Sequence, residues 1–167
     1  MSTRNLTMVI ERDCASNHEL GFAQNPKKLA DNSYVNMYLH HDGYPEWQGV
    51  QLAKWIKYWQ ENPKIVMSHR MSFTDGARVA SRLVRDHYYD SCYLYADPDH
   101  IDHEYTYVIW TGGRKDIWIS CYNQYTSRCV FVYTPDQVIK RYEDDMEYTD
   151  WGVGDRYKDD LKYRKNA

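Results

Sequence analysis

The chain has 167 residues, of which 43% are hydrophobic and 27% charged. That length and balance suit one globular domain, able to bury roughly 70% of its unfolded surface without staples. A formal charge of −3 excludes a basic field that would draw the whole molecule to nucleic acid, and no run nears the ~18 apolar residues of a membrane span.

Met1 to Ile10 contains Arg4 and Asn5 and lacks the apolar core of a secretory signal. Within it, Thr7 to Glu11 is a short β-rich run. Asp13 to Ser33 reads as an irregular connection, punctuated by Asn17, Gly21, Asn25, Pro26 and Asn32. Tyr34 to His40 alternates with period two. Val35, Met37 and Leu39 share one face, and Tyr34, Asn36, Tyr38 and His40 the other, which predicts a strand with one core face.

Gly43 and Pro45 then break the strand, and Glu46 to Glu61 reads as a helix. Pro45 sits near its start, Leu52, Ile56 and Trp59 form an apolar stripe, and Asn62-Pro63 ends it. A second helix is expected after Ser72 to Asp75, with Thr74 as its cap, because Ala77, Ala80, Leu83, Val84 and His87 recur at helical spacing. Ser91 to Tyr95 is a short strand, and Asp97 to Glu104 a polar loop. Tyr105 to Trp110 and Asp116 to Tyr122 flank a Gly112-Gly113 turn and predict a hairpin. Arg128 to Tyr133 adds a strand. Thr134-Pro135-Asp136 gives the clearest helix start in the chain, with the helix expected to reach about Glu147.

The order β, β, α, α, β, β, β, β, α does not alternate strictly. It predicts an α+β fold: a mixed or mainly antiparallel sheet of about five to six strands with three helices packed on it. One domain over residues 1–150 is expected, with a polar tail over 151–167. The unusual part of the composition is 17 Tyr and 6 Trp against 3 Phe. Such side chains suit half-buried strand faces and also binding surfaces. The cysteines Cys14, Cys92, Cys121 and Cys129 form no CxxC pair, so neither a zinc site nor another metal site is expected. Cys121 and Cys129 fall where paired strands could set them face to face. Reduced thiols in a cytoplasmic setting are the expectation.

Two stretches carry a resemblance. Ser2-Thr3-Arg4-Asn5-Leu6-Thr7 opens the chain, and His41-Asp42-Gly43-Tyr44-Pro45-Glu46, with Gly49 after it, follows the second strand. This resembles a family of small proteins, common in bacterial and phage genomes, that begin TRNLT and carry a WDGYPE-x-x-G element. The match is specific over the first 60 or so residues. Beyond them the YTYVIW and DIWISCY strands are also similar. His41 stands where relatives usually have Trp, and the connection between the first two strands is longer. The resemblance implies a shared fold and a phage or bacterial setting, the cytoplasm of a bacterial host, and no reaction.

The candidate site joins those two stretches. If the first two strands are neighbours, Arg4 and Asn5 fall near His40, His41, Asp42, Tyr44 and Glu46, gathering a cation, two imidazoles and two carboxylates at a strand-to-helix turn. Helix starts bind anions through free N–H groups, and a histidine beside a carboxylate can act as a general base. The same residues also suit a purely structural turn, with Arg4 paired to Asp42 or Glu46. Lesser candidates are the oxygen- and imidazole-rich Asp97 to Glu104 loop, which lacks EF-hand spacing, and the row Arg78, Arg82 and Arg85 with His69 and Arg70 upstream.

These readings predict a phage-encoded accessory protein that binds a host or phage macromolecule without catalysis, with a protein partner, no cofactor and no membrane. A counter-defence or host-takeover role is the sharper form. The alternative is a small hydrolase, or a nucleotide-binding or sequestering protein, built on Arg4, His41, Asp42 and Glu46.

Overall fold

The computed structural model describes residues 2–11, 31–61, 75–87, 92–112 and 117–143. Six strands form one sheet: β1 (Asn5–Glu11), β2 (Ser33–Leu39), β3 (Cys92–Leu94), β4 (Tyr105–Thr111), β5 (Trp118–Asn123) and β6 (Arg128–Tyr133). Three helices accompany them: α1 (Val50–Glu61), α2 (Gly76–His87) and α3 (Pro135–Tyr142). The arrangement is α+β, and the sheet is mixed, in the order β3-β2-β1-β4-β5-β6. Neighbours pair antiparallel except at the centre, where β1 and β4 run parallel.

Alternation along the strands sorts side chains onto two faces. Val9, Met37, Tyr107, Ile109, Ile119 and Phe131 face the helices and pack against Leu52, Trp55, Ile56, Val79, Leu83 and Val138. Leu6, Met8, Ile10, Tyr38, Val108, Trp110 and Val132 form a second buried cluster on the opposite face, with Ile101 packed against it. The central strand β1 is therefore buried on both sides, and only its last residue, Glu11, is exposed. A one-sided core does not describe this sheet. Strands apolar on both faces belong at a sheet centre, where neither face meets water.

The helix starts follow local chemistry. Pro45–Gly49 forms a π-turn that runs into α1, with the Val50 N–H reaching back to the Pro45 carbonyl. The predicted cap Thr74 lies outside the described residues. Asp75 caps the start of α2, its Oδ1 accepting from the Arg78 amide at 3.1 Å. Glu11 Oε2 accepts from the Gly76 amide at 2.9 Å, so a carboxylate sits at the positive end of α2. At α3 the capping box is complete: Thr134 Oγ1 accepts from the Gln137 amide, and the Gln137 side chain accepts from the Thr134 amide. Residues 144–147, expected to extend this helix, lie outside the described residues, as do the polar tail and most of the long connection before β2.

Side-chain ties help hold the helical layer together, Lys57 to Asp136 between α1 and α3 among them. Trp55 Nε1 donates to the buried Asp86 at 2.9 Å, linking α1 to α2, and Lys54 pairs with Glu143 at 2.9 Å, linking α1 to the end of α3. The two cysteines expected face to face are not so placed. A register shift pairs Cys121 with Phe131 and Tyr122 with Cys129, which puts Cys121 in the helix-side core and Cys129 against the opposite cluster. A bulge inserts one residue, and one residue reverses the face.

Candidate functional site

The opening segment does fold back beside the bend that follows β2. Asn5 lies opposite Leu39 in the β1–β2 ladder, the Gly43 amide donates to the Thr3 carbonyl at 2.9 Å, and Ser2 Oγ donates to the His40 carbonyl. The backbones thus come together as the sequence predicts. The side chains do not.

Arg4 and Asn5 are consecutive, so they point to opposite faces of the sheet. Asn5 is fully buried on the helix side. There its Oδ1 accepts from Thr7 Oγ1 at 3.4 Å, Gln48 Nε2 donates to the same Thr7 hydroxyl at 3.5 Å, and Asn5 Nδ2 has no partner. Glu46 lies toward this interior. Its charge helps to push up the buried Tyr107 hydroxyl and Cys121 thiol, for which burial itself is the dominant cause. Tyr107 Oη donates to the Gly43 carbonyl at 2.7 Å. Asp42 is exposed at a φ of 54°, a left-handed conformation that Asp tolerates better than most residues. His41 is exposed and packs edge-on to His40 with centroids 4.8 Å apart, and Tyr44 tilts toward Tyr105 at 6.4 Å. Asp42, Gly43 and Tyr44 therefore shape the bend.

Arg4 and His40 go to the other face, opposite α1, α2 and α3. There they meet residues from the Asp97 to Glu104 loop and from the edge strand. Together Arg4, Tyr38, His40, Tyr93, Tyr95, Asp97, His100, Ile101 and Asp102 line an open cleft of about 390 Å³. The register explains the convergence. Tyr38 pairs with Tyr93 across β2–β3 and with Leu6 across β1–β2, and the Tyr95 amide donates to the Asn36 carbonyl, so the three tyrosines share a face at the sheet edge. Tyr38 forms the floor, with Tyr95 perpendicular to it at 5.9 Å and Tyr93 tilted by 52° at 6.1 Å.

Polar groups in the cleft hold one another. Arg4 Nη1 donates to Asp102 Oδ2 at 2.9 Å, and Tyr125 Oη donates to Asp102 Oδ1 at 3.0 Å. That bond to a carboxylate raises the Tyr125 hydroxyl above its ordinary pKa. Tyr38 Oη sits 2.8 Å from His40 Nδ1, and burial raises the Tyr38 hydroxyl too. Asp97 caps a short 3-10 turn over Pro98–His100, its Oδ1 accepting from the Asp99 amide at 2.9 Å and its Oδ2 3.7 Å from His100 Nε2. The partner of Arg4 is thus Asp102, not Asp42 or Glu46.

Of the seven residues proposed from sequence, the structure keeps Arg4 and His40 in the cleft and sends Asn5, His41, Asp42, Tyr44 and Glu46 elsewhere. Tyr38, Tyr93, Tyr95 and Asp102 were not among the seven. Their signal was present: Tyr93-x-Tyr95 at strand period runs directly into a loop rich in Asp and His. Of the other candidates, the Asp97 to Glu104 loop lends Asp97, His100 and Asp102 to the cleft. His103 is buried between the Ile101 carbonyl and the Thr106 hydroxyl. Arg78 pairs with Asp75, and Arg82 and Arg85 lie over the Trp59 ring at 4.9 and 6.0 Å. His69 and Arg70 lie outside the described residues. Among those residues no three His, Cys, Asp or Glu side chains converge to hold a metal ion. Among the described residues no helix is long and apolar enough to cross a membrane.

No protein-family model matches the chain, and no curated protein and no solved structure matches it.

Proposed function

We propose that this chain is a non-catalytic binding protein, a phage-encoded accessory factor that engages a host or phage macromolecule through the tyrosine-walled cleft. The observation that carries this reading is the combination of exposed rings and satisfied polar groups. Tyr93 and Tyr95 are 54% and 41% exposed, a large apolar area held on a strand at little entropic cost. Meanwhile both Asp102 oxygens are engaged by Arg4 and Tyr125, and His40 Nδ1 by Tyr38. A general base needs its lone pair directed at a substrate proton, and both Asp102 oxygens already accept from Arg4 and Tyr125.

A second reading, nucleotide sequestration, draws on the same rings, since every nucleobase has a face to stack on tyrosine. A hydrolase built on Arg4, His41, Asp42 and Glu46 has no geometric support, because the sheet separates Arg4 from Glu46.

The test is a Tyr93→Ala/Tyr95→Ala double variant. Both side chains are exposed, so its thermal midpoint should stay within a few degrees of the parent. Affinity capture from host and infected-cell lysates should return a stoichiometric partner with the parent and lose it with the variant. Equal capture by both proteins counts against the cleft. Turnover of a phosphoester panel that disappears in His41→Ala would replace binding with catalysis.

A further inference from the structure

We infer that the cleft takes a guanidinium group, an arginine side chain presented on an exposed segment of a partner protein. This rests on the reading that the cleft is the binding site, and it names the chemistry of the occupant.

The reasoning is electrostatic. Among the described residues lining the cleft, Arg4 is the permanent cation, while Asp97 and Asp102 are two carboxylates. Arg4 is already paired with Asp102. With the histidines neutral, the lining carries one negative charge in excess, within a protein of formal charge −3. Three tyrosine rings add their negative faces. A phosphate would enter against two carboxylates with no uncommitted permanent cation to meet it. A cation meets ring faces and a carboxylate.

Shape selects guanidinium among cations. It is planar, weakly hydrated and stacks on aromatic faces, and its forked donors match a carboxylate. The perpendicular pair Tyr38 and Tyr95 offers a ring face beside a ring edge, a corner that suits a flat group better than a tetrahedral ammonium. Asp97 is preorganised. The bond from the Asp99 amide to Oδ1 fixes the carboxylate, and Oδ2 lies 3.7 Å from His100 Nε2, too long for a hydrogen bond. Arg4 plays a further part: by neutralising Asp102 it leaves Asp97 as the carboxylate most available to the ligand.

The experiment is an NMR titration of the full chain, read at the tyrosine ring resonances. Three probes are used: a Gly-Arg-Gly peptide, the same peptide with neutral citrulline in place of arginine, and GMP. The arginine peptide should shift Tyr93 and Tyr95 saturably. The citrulline peptide should bind about tenfold more weakly or worse, the size of one cation–π contact. Asp97→Asn should weaken arginine binding to a similar degree and citrulline binding less, with the thermal midpoint unchanged because Asn can accept the Asp99 amide as Asp does. Equal responses to arginine and citrulline would overturn the inference. Tighter binding of GMP than of the arginine peptide would overturn it too, yet leave the cleft as a binding site for nucleotides. Silence toward all three would overturn the inference. If the tyrosine double variant also retained its captured partner, the cleft itself would fall.

Discussion

The backbone amide of Gly43 donates to the carbonyl of Thr3 at 2.9 Å, and that bond closes the chain's opening segment onto the bend between β2 and the helical layer. The approach is closer than a side chain permits. A Cβ built on Gly43 would stand 2.9 Å from Asn5 Cβ and 2.9 Å from the Thr3 oxygen. Gly43 also carries the carbonyl that satisfies the fully buried Tyr107 hydroxyl. The glycine of the His-Asp-Gly-Tyr-Pro stretch is therefore required by backbone proximity.

Gly43→Ala should destabilise the fold by about 1–3 kcal/mol, because backbone atoms and a strand Cβ cannot move aside as a side-chain tip can. For a chain of this size that corresponds to a midpoint lower by roughly 2–4 °C per kcal/mol. Thermal unfolding followed by circular dichroism measures it. An unchanged midpoint would mean that the bend is looser than the Thr3 contact indicates.

Asp42 should behave as a conformational residue. At a φ of 54° a β-branched side chain meets the full left-handed penalty. Asp42→Val should cost about 1–2 kcal/mol, and Asp42→Gly should stay within about 0.5 kcal/mol of the parent. Urea unfolding of both variants decides the matter. Equal losses for Gly and Val would point to a role for the carboxylate itself.

Arg4→Ala should separate stability from binding. The Arg4–Asp102 pair is solvent-exposed, its side chains retaining 39% and 67% of their accessible surface. Pairs of this kind contribute about 0–1 kcal/mol. Removing Arg4 should therefore leave the unfolding midpoint nearly unmoved. It should also free Asp102 and strengthen binding of the arginine peptide. Weaker peptide binding by this variant would mean that Arg4 contacts the ligand directly.

Stability should fall at alkaline pH. Burial pushes the Tyr105 and Tyr142 hydroxyls up to about 12 from an ordinary value of 10.0, with Glu104 and Cys121 respectively adding to it. Tyr107, buried completely, is pushed well above its ordinary value. The unfolded chain releases the Tyr105 and Tyr142 protons near pH 10, whereas the folded chain holds them to about 12. Between those values the unfolded state binds fewer protons, so rising pH favours it. The stabilisation is fully present below pH 10 and lost on passing about 12. Urea midpoints at pH 8 and pH 11, with tyrosinate absorbance at 295 nm, provide the test. Ionisation of all 17 tyrosines near pH 10 with the native circular dichroism intact would contradict it.

The order of strands and helices was legible because each element carries its own local signal. The alternation in Tyr34 to His40 marks a strand, the spacing of Leu52, Ile56 and Trp59 marks a helix, and the Thr134-Pro135 start marks the α3 cap. Some strand boundaries moved by a residue, as at β2, which runs Ser33–Leu39 where Tyr34 to His40 was expected. The central parallel pairing of β1 with β4 was not legible, because nothing within either strand records which distant segment lies beside it.

The site divides along the same line. Sequence by itself determined that Arg4 and the bend at Gly43 carry special chemistry and that the Tyr-rich strands end in an acidic, imidazole-rich loop. Tertiary structure alone decided which of those groups meet. Strand alternation turns Arg4 and Asn5 to opposite faces, and sheet order places β3 beside β2. The cleft is therefore assembled from Arg4, Tyr38, Tyr93, Tyr95 and the 97–102 loop, groups up to about 98 positions apart in the chain. Period-two geometry is a local property, but which face is covered by the helices, and which carries the cleft at its edge, depends on how the whole chain packs.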